Sequence, residues 1–163
     1  MDALSFLATT TEVSITFAGF ISIFVILARR DGSFEPDVAL LIRLVLIASI
    51  TGLFSAALPA ILSTLSIEGP TLWRLSSAIV LAGAVGVSVY VFRRRSLIQR
   101  SVLVPVAVTF NGAVLVLLLA NLSEWPSAPD GGTYVVSVWL VLGIGSINFV
   151  DLVFNRVLGQ PVA

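Results

Sequence analysis

The sequence predicts an all-α protein, an integral membrane bundle of five transmembrane helices with the N-terminus outside and the C-terminus in the cytoplasm. Three observations predict it. Of the 163 residues 58% are hydrophobic and only 11% charged, whereas a soluble domain carries roughly 25% charged residues; there is too little polar surface to cover a soluble globule. Five apolar stretches, at about 4–28, 38–65, 71–92, 101–122 and 133–155, each reach the length needed to cross a hydrocarbon core. The arginines fall mostly on one side of the resulting topology, the side that insertion retains in the cytoplasm.

The first stretch has no basic leader, is longer than a signal-peptide core and carries Glu12, so it reads as a retained helix. Arg29 and Arg30 follow it. In the second stretch Pro59 is expected to kink the helix or end its regular part. Glu68, Gly69 and Pro70 mark the turn into the third stretch, which ends at Arg93, Arg94 and Arg95. With Arg100 these basic residues place the next connection in the cytoplasm. The fourth stretch tolerates Pro105 in its first turns. Proline, aspartate and glycine between 126 and 132 separate it from the fifth, which Arg156 follows. Asp2, Glu68, Glu124 and Asp130 lie on the opposite side, where Trp73, Trp125 and Tyr134 are expected to form an aromatic belt. No repeat, low-complexity run or linker divides the chain, so residues 1–163 read as one domain.

Missing residue types exclude much chemistry. There is no Cys, His or Lys, and all nine basic residues are Arg. Disulfides, thiolate or imidazole metal ligation and lysine Schiff bases are therefore excluded, and no cofactor or metal is expected. Intramembrane proteolysis and phosphoryl transfer lack their bases and phosphate-binding loops, so the chain reads as no enzyme. The acidic and basic residues cancel, which gives no reason to expect a nucleic-acid partner.

Helix faces supply the remaining signals. In lipid, small residues and polar groups mark the surfaces that helices bury against one another. Ala48, Gly52, Ala56 and Ala60 in the second stretch, and Ala78, Ala82 and Gly86 in the third, recur every four residues, a spacing expected mainly for packing within the chain. Ser5, Thr9, Glu12, Thr16 and Gly19 share one face of the first helix, spaced alternately four and three, and that face is expected to point into the bundle or a pore. Ser137, Val141, Ile144, Asn148, Asp151 and Asn155 form a matching stripe on the fifth helix, opposite Trp139.

Four ionisable residues fall inside the spans: Glu12, Arg43, Arg74 and Asp151. Since charges in hydrocarbon pair, reach water or neutralise, two layers of ion pairs are expected. Glu12 would meet Arg74 in the outer half and Arg43 would meet Asp151 in the inner half. Either these pairs fix helix order, or they are gates or relay groups with Thr16, Asn111 and Asn148 lining a path between them. The run Glu12-Val13-Ser14-Ile15-Thr16-Phe17-Ala18-Gly19-Phe20, followed by Arg29-Arg30 and by Trp73-Arg74-Leu75-Ser76-Ser77, resembles a group of short uncharacterised bacterial membrane proteins. That resemblance implies an inner-membrane location and supplies no activity. The functional expectation is permeation of an ion or small solute through an oligomeric bundle, the alternative a non-catalytic accessory or assembly subunit. The expected partners are the lipid bilayer and further copies or other membrane subunits.

Overall fold

The computed structural model describes residues 2–28, 36–94, 104–125 and 128–153. Its elements are α1 (Ala3–Ala28), α2 (Pro36–Thr64), α3 (Gly69–Arg93), α4 (Val104–Ser123) and α5 (Gly131–Val150), and among the described residues there is no strand. All five helices are long and apolar enough to cross a membrane. The expected stretches of 101–103 and 154–155, and Arg29, Arg30, Arg95, Arg100, Asn155 and Arg156, lie outside the described residues.

Helix starts follow local chemistry. Asp2 accepts hydrogen bonds at 2.7 Å from the Ser5 backbone N–H and hydroxyl, closing the first turn of α1. α3 starts at Gly69, two residues earlier than expected, because Pro70 fits a first turn whose N–H groups have no partner anyway. α5 likewise starts at Gly131, where Asp130 caps the helix by accepting from the Thr133 N–H at 2.9 Å. Pro59 does not end α2, which runs on to Thr64.

α5 is the central element: it lies against α2 and α4 and also reaches α1 and α3, while α1 packs chiefly on α2. Cross-helix contacts fix the vertical register. At one end Gly131 meets Ala3 and Trp73 so closely that a Cβ there would lie 2.6 Å from the Ala3 Cβ and 2.7 Å from the Trp73 ring. About halfway down a Cβ on Gly52 would meet Leu142 at 2.5 Å and the Ser14 hydroxyl at 3.3 Å. Glycine is what lets side chains from two other helices seat against its backbone at these two levels. The end with Trp73 is called the tryptophan end below, and the end with Arg93 and Arg94 the arginine end.

The larger core joins α2, α3, α4 and α5 through Ala56, Val80, Ala84, Val114, Leu118, Tyr134 and Val138, with Leu7 of α1 beside them. A second cluster of Val38, Leu41, Ile42 and Leu152 lies near the arginine end with Phe24 and Val25 of α1. Phe149 of α5 takes the edges or faces of Phe17, Phe20 and Phe24 at 5.7–5.8 Å, an arrangement that ring quadrupoles favour.

Candidate functional site

The polar stripe of α1 does not point into the bundle. Leu7, Thr10, Ser14 and Ile21 are the buried residues of this helix, and Ser5, Thr9, Glu12, Thr16 and Gly19 are all exposed on the opposite face. The expectation failed because the 3.6-residue period shows which side chains share a face without showing which face another helix covers. Here α2 and α5 cover the face that carries Thr10 and Ser14. These buried hydroxyls are satisfied by their own helix, Thr10 donating to the Phe6 carbonyl and Ser14 to the Thr10 carbonyl, each at 2.9 Å. Thr10 also accepts from the Trp139 ring N–H at 3.2 Å.

Depth separates Glu12 from the other charges. From Ala3 to Glu12 is nine residues, ~13.5 Å along α1. Trp73 and Arg93 are twenty residues apart, a span of ~30 Å. Glu12 therefore lies near the middle of the bundle. Arg43 is nine residues beyond Gly52, which puts it ~30 Å from the tryptophan end and level with Arg93. Arg43 is exposed there, in position to reach an interface with its long stem.

Neither expected ion pair forms. Arg74 donates to Glu124, just past the end of α4, at 2.7 Å, both side chains about half exposed at 54%. Register explains the exchange: α3 and α4 run antiparallel, and Asn121 against Ser77 brings Glu124 level with Arg74, whereas Glu12 lies ~12 Å deeper. Asp151 is buried, with 2% exposure, in a wider π-type turn that extends α5, and Arg43 faces outward at about the same level. The Thr16 hydroxyl donates to the Glu12 carbonyl at 2.9 Å. Asn111 donates to the Ser88 hydroxyl at 2.9 Å between α3 and α4, on the far side of the bundle from α1. Asn148 is half-buried on α5. Glu12, Thr16, Arg43, Arg74, Asn111, Asn148 and Asp151 thus do not converge, and no chain of them runs through the bundle. Between α1 and α5 lies a hollow of 190 Å³ lined by Val13, Phe17, Trp139, Leu142, Gly143 and Ser146, which holds no titratable group.

Other stripes fare differently. On α5, Ser137, Val141 and Asp151 are buried and Trp139 faces outward, as the spacing predicts. On α2, Ala48, Gly52 and Ala56 are buried and Ala60 is exposed. On α3, Ala78 is half-buried while Ala82 and Gly86 face outward, and a Cβ on Gly86 would meet nothing within 4 Å; beyond Ala78 that stripe is not an intrachain packing face.

The most connected polar cluster lies at the tryptophan end, and spacing alone does not show it. Asn121 donates to the Ser77 hydroxyl at 2.9 Å and to the Asp130 carbonyl at 3.3 Å, and accepts from the Asp130 N–H at 2.8 Å. Asp130 in turn holds Thr133 through both carboxyl oxygens. Burial pushes its carboxyl up, but the bonds from the Thr133 N–H and hydroxyl and from Gly132 together hold it below the usual carboxylate range. Tyr134, expected in an aromatic belt, is fully buried at 0% exposure. Its hydroxyl donates to the Ser55 carbonyl at 2.7 Å. Position 59, four residues on from Ser55, is the residue whose N–H would normally bond that carbonyl, and it is proline. Tyr134 thus supplies the donor that Pro59 lacks, which is why α2 passes through a proline unbroken. The visible signal was the buried proline; its partner on another helix was not visible.

Among the described residues no group of three or more potential metal ligands occurs. No protein-family model, curated protein or solved structure matches the chain.

Proposed function

We propose that the chain is a non-enzymatic subunit of an oligomeric assembly in the bacterial inner membrane, N-terminus outside, and that an ion or small solute passes along the α1 face between copies. The observation that carries this reading is the outward position of Glu12 near mid-depth. A charged side chain there costs about 2.5–3.5 kcal/mol against lipid on insertion scales. A chain retains such a residue where water, a permeating ion or another subunit meets it. Thr9 and Thr16 flank it on the same face, and the apolar core within each bundle leaves the shared surface as the polar route.

Flux of protons, monovalent cations and small solutes into vesicles containing the purified chain tests this reading. Conduction that Glu12→Gln reduces at least tenfold, with folding intact, supports it; vesicles that stay impermeable to all of them sink it. The alternative is an accessory subunit that works by docking. It is favoured by the outward Ala82, Gly83 and Gly86 of α3, since small residues let a neighbouring helix approach closely. It predicts copurification with a larger membrane partner, lost on Gly86→Leu.

A further inference from the structure

We infer that the outward face of α1 is a helix–helix seam that pairs with α1 of a second copy of this chain, the two Glu12 carboxyls meeting across it. This rests on the oligomeric part of the reading above and not on permeation. Ser5, Thr9, Glu12, Thr16, Gly19 and Ile23 are separated by four, three, four, three and four residues. That is the 3.5-residue period of a left-handed helix pair. All six are exposed, so the seam is complete and unused within one bundle. Small side chains occupy most of it, and a Cβ on Gly19 would meet nothing within 4 Å, so two backbones can approach closely.

Glu12 decides what covers the seam. Its carboxyl makes no hydrogen bond or ion pair among the described residues of its own chain. Lipid tails cannot bond it, so the occupant must bring a polar group to a level ~13.5 Å from Ala3. Copies inserted with the same orientation do so automatically, because a parallel pair sets each seam residue against its counterpart at one depth. Two carboxyls at one depth give each other the polar neighbour that lipid tails withhold. The Thr16 hydroxyl donates to its own helix, which leaves its oxygen able to accept across the seam. A foreign helix would need a cation or amide at this one level; the chain's own copy needs nothing further.

The native chain has no cysteine, so single cysteines report the seam directly. Thr9→Cys, Thr16→Cys and Gly19→Cys, oxidised in native-lipid vesicles, should each give a disulfide-linked homodimer. Phe54→Cys, exposed on α2, sets the collision background. Glu12→Ala in the Thr16→Cys chain should lower the linked fraction about threefold, the worth of an average interhelical polar pair, whereas Glu12→Gln, whose amide both donates and accepts, should retain it. Cross-linking at the seam no better than at Phe54, an unaltered yield on Glu12→Ala, or a linked product containing a different protein would each overturn the inference. Linked but non-conducting vesicles would leave the pairing standing and remove permeation; conducting vesicles without seam links would do the reverse.

Discussion

Removing the Tyr134 hydroxyl tests the reading of Pro59. In Tyr134→Phe the Ser55 carbonyl loses its 2.7 Å donor while Pro59 still offers no N–H. An interhelical side-chain bond in a membrane protein averages about 0.6 kcal/mol. A buried acceptor left with no donor at all costs more, about 1–3 kcal/mol. Since Pro59 offers this carbonyl no N–H, a loss of about 1–2 kcal/mol is expected. Pro59→Ala restores an N–H at the position that reaches Ser55, so in that background Tyr134→Phe should cost about 1 kcal/mol less. Equilibrium unfolding in mixed detergent micelles, followed by helical circular dichroism, reads all four corners of the cycle. Trp73, whose ring centroid lies 5.8 Å from that of Tyr134, gives an independent fluorescence signal. Additivity within about 0.3 kcal/mol would refute the reasoning, because the two residues would then not serve the same carbonyl.

Three further outcomes follow from the polar contacts. Arg74→Ala and Glu124→Ala should couple by about 0.2–1 kcal/mol in a double-mutant cycle, the range of an exposed ion pair, whereas Arg74→Ala and Glu12→Ala should add without coupling. Asn121→Ala should cost about 2–3 kcal/mol in the same unfolding assay, since it removes the bonds to Ser77 and Asp130 from a buried site; a loss below ~0.5 kcal/mol would show that the cluster does not hold the tryptophan end together. The lowered carboxyl of Asp130 contributes stability that is present above the unfolded value of about 3.9 and is lost as the pH falls through the lower folded value. Unfolding measured from pH 6 down to pH 2 should therefore show an acid-side decline that Asp130→Asn, which can still cap α5, reduces.

Apolar length determined five helices long and apolar enough to cross a membrane, and composition alone removed thiol, imidazole and lysine chemistry from consideration. Period also grouped the right side chains together: Ser137, Val141 and Asp151 share the buried face of α5, and Ser5, Thr9, Glu12 and Thr16 share one face of α1. It did not determine where a face points. In water an apolar stripe must turn inward, but in lipid both sides of a helix are apolar and the hydrophobic effect gives no preference. Only packing decided that Thr10 and Ser14 face α5 and α2 while Glu12 faces out. Partners between helices had the same cause of failure, because Arg74 to Glu124, Asn121 to Ser77 and Tyr134 to Ser55 depend on the vertical register of two helices. That register goes with side chains of two neighbouring helices seated on Gly52 and on Gly131, a property of three meeting helices that no single helix carries in its own pattern.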